Sequence, residues 1–86
     1  MSMITGAQIR AARGALRWSA AQLAERAAVA NKTVARFEEV DGVPPSRSST
    51  LMDVQAALEK AGIEFIGSHD DSPGIRIRTP QAPVEK

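Results

Sequence analysis

Ser19–Glu38, SAAQLAERAAVANKTVARFE, decides the fold. It reads as two short helices joined by a tight turn. Ser19 is a good N-cap, and Gln22 three residues later completes a capping box. Leu23, Ala24 and Ala27 then fall on one helical face. The small run Ala27-Ala28-Val29-Ala30 leaves room for two helices to cross closely. In the second helix Val34 and Phe37, spaced i, i+3, form the inward face. Asn31, Lys32, Thr33 and Arg36 remain outside, toward its front. Such short polar and cationic groups suit the edge of a base pair or a phosphate.

Ser19, Gln22-Leu23-Ala24-Glu25, Ala28-Val29-Ala30 and Thr33-Val34-Ala35-Arg36-Phe37-Glu38 match the run T-Q-x-E-L-A-x-x-x-G-V-S-x-x-T-I-S-x-W-E in type and spacing. On these residues the chain resembles the helix-turn-helix of the phage-repressor (Cro-like, XRE) family of bacterial regulators. The resemblance covers roughly residues 5–66, and more loosely the tail. Three positions depart from the pattern. Ala20 stands where the family usually has a phosphate-touching Gln. Ala28 replaces the turn Gly, so the turn must be reached without an easy positive φ. Ala30 replaces the Ser that caps the second helix, leaving Asn31 as a substitute cap. The fold is expected to survive all three, with the phosphate contact at Ala20 lost.

Working outward, 86 residues make one domain. A domain this small buries only about 60% of its unfolded-chain surface, so a partner subunit would help it. The chain is rich in Ala and poor in aromatics, which favours helix packing over a sheet sandwich. Cysteine is absent, so neither a disulfide nor a thiolate metal site is possible. That fits a reducing cytosol, and the cytoplasm is the expected compartment. No apolar run approaches the ~20 residues of a membrane span, and the start MSMITGAQIR has no secretory apolar core.

Charge is unevenly distributed. Residues 1–37 hold six basic groups and one acidic group, a net +5, while the remainder carries −4. The positive end is the end with the paired helices, which suits a polyanion-facing surface. Solvated arginines on the first helix are the plainer explanation.

Toward the N-terminus, Met1–Ile4 is expected to be frayed or loosely packed. Thr5 opens a first helix, with Gln8 completing a second capping box. Ile9, Ala12 and Leu16 mark its buried stripe. Arg10, Arg13 and Arg17 form a second stripe, either for solubility or for sequence-blind phosphate contact. Arg17 is the best phosphate candidate. Trp18 is expected to cover the corner between helices 1 and 2. The resemblance implies that Glu38 ends the second helix and holds the next loop; a solvated helix end is the alternative.

Toward the C-terminus, Asp41-Gly42-Val43-Pro44-Pro45-Ser46 is a breaker cluster in which Gly42 can take the left-handed conformation after a helix. Ser48 or Ser49 caps a fourth helix with inward Leu51, Val54, Leu58 and Ala61, ended by Gly62. Ile63-Glu64-Phe65-Ile66 reads as a strand, Gly67–Gly74 as a loop, and the alternating Ile75-Arg76-Ile77-Arg78 as a second strand. The resulting hairpin also resembles a tail on some small family members. Residues 79–86, with two prolines, read as a disordered end.

The expected architecture is therefore mainly α: a four-helix repressor-like helix-turn-helix domain over 1–62, followed by a short C-terminal β-hairpin over 63–78. A lone hairpin is marginal and its edges invite pairing. Ile63, Phe65, Ile66, Ile75 and Ile77 are accordingly the expected dimerisation residues. His69 beside Asp70 and Asp71 is loop decoration rather than a metal site. No nucleophile elbow, phosphate-binding glycine loop or acid–base pair is present, so neither an enzyme nor a cofactor is expected.

The resemblance implies a sequence-specific DNA-binding regulator, a repressor in type, acting as a homodimer on a near-palindromic site. Asn31, Lys32, Thr33 and Arg36 would contact bases. Arg17, Ser19, Gln22 and Arg47 would contact the backbone. Double-stranded DNA is the expected partner, together with a possible second regulatory protein. The alternative is an antitoxin-like or other protein-interaction module on the same scaffold.

Overall fold

The computed structural model describes residues 4–44, 48–68 and 71–78. It contains α1 (Gly6–Leu16), α2 (Ala20–Ala27), α3 (Asn31–Glu38), α4 (Ser48–Lys60), β1 (Ile63–Ser68) and β2 (Asp71–Ile77). The architecture is mainly α, with a two-stranded antiparallel hairpin after the last helix. Among the described residues no helix is long and apolar enough to cross a membrane. Arg47, His69 and the expected disordered end lie outside the described residues.

α1 begins with the expected reciprocal box. The Gln8 amide donates to Thr5 Oγ1 at 3.1 Å, and the Thr5 amide donates to Gln8 Oε1 at 2.8 Å. Ile4, expected to be loosely packed, is instead 2% exposed and joins the core. It precedes the N-cap and Ile9 is the fourth helical residue, so the two occupy the positions of a hydrophobic staple. Burial of that apolar side chain, rather than chain-end freedom, decides its place.

α1 and α2 end alike. Arg17 (φ 59°, ψ 35°) and Ala28 (φ 59°, ψ 42°) are left-handed. Beyond them the Trp18 amide donates to the Arg13 carbonyl at 3.0 Å, and the Val29 amide to the Ala24 carbonyl at 2.9 Å. These six-to-one bonds satisfy carbonyls that the helix itself leaves open. Ala28 thus adopts the positive φ despite its Cβ, which normally costs on the order of 1–2 kcal/mol.

α3 ends otherwise. Its C-cap Glu39 is right-handed (φ −72°). Positive-φ glycines among the described residues are Gly62 and Gly67, so Gly42 does not take the expected left-handed turn. Arg10 does that work from another helix: its guanidinium donates to the carbonyls of Glu38 and Val40. The Gly42 carbonyl in turn accepts the Gly6 amide at 2.9 Å. Gly6 is required here, because a Cβ would run into the backbone oxygens of Phe37 and Val40.

Ile9, Leu23, Val34, Phe37, Val54 and Leu58 are essentially inaccessible and form the centre of the core. α2 packs on α3 and α4, while the hairpin lies against α1 through β2 and α4 through β1. The expected loop Gly67–Gly74 is largely paired: Ile66 faces Gly74 and Ser68 faces Asp71, with a bulge between Ile66 and Ser68. Turn-forming residues mislead here because a bulge also needs them. Gly67 sits at φ +73°, where a Cβ would strike the Ser72 carbonyl oxygen. Pro73 is tolerated because both strands are edges.

Candidate nucleic-acid interface

α3 sets the geometry. With ~100° per residue, burying Val34 (0% exposed) and Phe37 (2%) turns Lys32, Ala35 and Arg36 outward. Asn31, Lys32 and Arg36 are exposed, and Thr33 is half-buried at the margin of that face. None of the four side chains makes a hydrogen bond or ion pair among the described residues. Asn31 does not cap the helix. The N-cap is Ala30 (φ −73°, ψ 149°), without a side-chain hydrogen bond. An Asn in the first helical position has left the extended geometry that capping needs. Its amide is therefore available, as are the uncapped first-turn N–H groups.

The front of α2 is partly committed. Ser19 Oγ accepts the Gln22 amide at 3.1 Å, and Gln22 Oε1 accepts the Ser19 amide at 2.8 Å. This box leaves the Gln22 Nε2 hydrogens and the Ser19 hydroxyl proton as donors toward solvent. Arg17 is exposed on the preceding left-handed turn.

The basic stripe of α1 divides. Arg13 grips Glu38 through Nε (2.8 Å) and Nη2 (3.0 Å), and also donates to the Trp18 carbonyl at 3.0 Å. The Glu38 side chain is only 11% exposed, so this is a structural clasp and not a solvated helix end. Hydrogen bonding to Glu38 holds the Arg13 guanidinium above its ordinary value, against the opposing effect of burial. Arg10 pairs with Asp41 besides capping α3. Two of the six N-terminal cations thus fasten α1 to the end of α3. Arg17, Arg26, Lys32 and Arg36 have no carboxylate partner among the described residues.

The expected dimerisation residues separate by face. Cross-strand pairing places Ile63 with Ile77 and Phe65 with Ile75 on one side. Ile66 lies on the other, with Glu64 and Arg76. Ile63 is 2% exposed and belongs to the core, so its side chain is not offered to a second chain. Its position directly after α4 makes it the first residue of the hairpin to meet the helices. Phe65 and Ile75 pack partly against the core, whereas Ile77 is 63% exposed.

Besides the Arg10 and Arg13 clasps, two further contacts were not anticipated from the sequence. Gln8 Nε2 donates to the Ile66 carbonyl (3.3 Å) and the Gly74 carbonyl (2.8 Å). Arg26 lies over the Trp18 ring, 4.4 Å from its centroid. A capping Gln whose oxygen is used still has an NH2 group to satisfy, which was a signal for the first, though its partner was not readable. No model of a known protein family matches this chain, and no curated protein matches it.

Proposed function

We propose that this chain is a bacterial, cytoplasmic, sequence-specific DNA-binding regulator, a repressor in type, that works as a homodimer. The observation that carries the reading is the division of labour on α3. Its rear is fixed by Val34, Phe37 and the Arg13–Glu38 clasp, while Asn31, Lys32 and Arg36 are exposed at its front, without a side-chain partner among the described residues. A major groove admits a helix presented in this way.

In this reading α3 enters the groove and α2 lies across the backbone. Arg36 donates bidentately to guanine O6 and N7, Asn31 reads adenine, and Lys32 meets guanine or phosphate. Thr33, at the margin, touches a thymine methyl or a phosphate. Ser19, Gln22 and Arg17 fix the register through phosphates. Ile77 with Phe65 and Ile75 supplies the apolar contact between subunits, placing two copies of α3 about 34–36 Å apart on a near-palindromic site.

Fluorescence anisotropy tests this directly. The protein is titrated against DNA from its own promoter region and a shuffled control, across a salt series. Preference for the promoter, with affinity falling steeply as salt rises, is the expected result. Equal weak binding to both probes would favour the protein-interaction module on the same scaffold.

A further inference from the structure

Trp18, Arg26, Ala57, Lys60 and Ala61 line an open cleft of about 380 Å³. Its walls come from the α1–α2 link, α2 and the last turn of α4. None of its residues belongs to α3, so a ligand held here does not depend on the DNA reading.

Three features give the cleft a chemistry. First, it carries two cations on different helices, Arg26 and Lys60, neither paired with a carboxylate among the described residues. The four other described arginines outside α3 and the α1 terminus, Arg10, Arg13, Arg76 and Arg78, all are. Second, the half-buried Trp18 contributes an indole that already attracts a planar cation at 4.4 Å. Third, Ala57 and Ala61, one helical turn apart, offer only methyl groups, so a flat body can lie against α4 unobstructed. The volume sits at the low end of small-molecule sites, roughly 300–1,000 Å³.

We infer that this cleft binds a small aromatic carboxylate, its ring against the indole edge and the alanine methyls and its carboxylate between Arg26 and Lys60. A guanidinium takes a carboxylate through two parallel hydrogen bonds, and the ammonium adds a second charge-assisted contact. Because the cations stand on α2 and α4, the ligand would clamp these two helices together.

Trp18 is the only tryptophan, so its indole N–H gives a single reporter in a proton–nitrogen NMR spectrum. The full chain is titrated with benzoate, with the neutral isostere benzamide, and with inorganic phosphate. Benzoate is expected to shift the indole signal saturably, with benzamide weaker by about tenfold or more, as loss of charge-assisted hydrogen bonds requires. Phosphate can meet the two cations but has no ring to lay against the indole, so it is expected to shift the signal with an affinity weaker than benzoate by about fivefold or more. Arg26→Gln and Lys60→Gln, both at exposed positions, should each weaken benzoate by about fivefold or more while leaving the remaining amide signals dispersed. The inference is overturned if benzoate gives no saturable shift, if benzamide or phosphate matches it, or if both variants bind benzoate unchanged.

Discussion

The side-chain amide of Gln8 donates to the main-chain carbonyl of Gly74 at 2.8 Å while its oxygen accepts the amide of Thr5 at 2.8 Å. One buried side chain therefore closes the front of α1 and fastens β2 to it. The hairpin is held by its own helices through this amide as well as through Ile63. Gln8→Ala removes the cap acceptor and leaves the carbonyls of Ile66 and Gly74 without that donor. It should cost about 2–4 kcal/mol, from the cap and the unmade hydrogen bonds together. Urea unfolding checks this, and a loss below about 0.5 kcal/mol would show that water replaces the amide without penalty.

Arg13 and Glu38 form the corresponding fastening on the opposite side of α1. Arg13→Met should destabilise by about 1–3 kcal/mol, less than for a fully buried pair because Arg13 keeps some exposure. Much of that loss comes from stranding the Glu38 carboxylate, so Arg13→Met with Glu38→Leu should recover most of it. Glu38 raises the guanidinium's pKa, so the pair's contribution is complete below the ordinary arginine value and is lost only as pH rises through the raised one. The wild-type and Arg13→Met difference should accordingly stay level from about pH 8 to pH 10.

Three exchanges between glycine and alanine should differ in sign. Ala28→Gly relieves the φ of 59° and should stabilise by about 0.5–1 kcal/mol. Gly14→Ala, in a helix with open space around it, should also stabilise by about 0.5–1 kcal/mol. Gly6→Ala forces a Cβ into two backbone oxygens and should destabilise by about 2 kcal/mol or more. Thermal denaturation of the three variants reports the order; a neutral Gly6→Ala would mean that α1 can back away from α3.

Arg36→Ala should weaken binding to the preferred DNA site by about 1–3 kcal/mol and reduce discrimination against shuffled DNA. Lys32→Ala, if the ammonium meets phosphate, should lower the salt slope by about one. Arg10→Ala serves as the contrast. Its guanidinium is engaged with the end of α3, so the slope should hold even where stability falls. Equal slopes for wild type and Lys32→Ala would take Lys32 out of the phosphate set.

Ile77 is a hairpin residue that lies outside the core. Ile77→Asp should convert the proposed dimer to monomer in sedimentation velocity and lower the melting temperature only by the concentration-dependent part that association supplies, since Ile77 is 63% exposed within its own chain. A dimer that persists would place the interface on the helices.

Much of the fold was legible along the chain because its signals are local. The boxes Thr5–Gln8 and Ser19–Gln22 announce two helix starts, and the spacing of Leu23, Val34, Phe37, Val54 and Leu58 announces the buried faces. The outward position of Lys32 and Arg36 follows from the same periodicity. Other features depended on partners distant in sequence. Nothing in the stripe Arg10, Arg13, Arg17 distinguishes the two that clasp α3 from the one that has no carboxylate partner among the described residues. That depends on where the carbonyls of Glu38 and Val40, which Arg10 reaches, and the Glu38 carboxylate, which Arg13 grips, come to rest. Gly42 was a reasonable left-handed stop, until a guanidinium from α1 satisfied the same carbonyls. Gly67 and Pro73 read as loop because a bulged edge strand uses the residues a turn uses. Periodicity thus determined which face of each helix is apolar, since that depends only on ~3.6 residues per turn. Tertiary structure alone decided which polar groups remain available for recognition, since a hydrogen bond forms only between groups that folding has brought together.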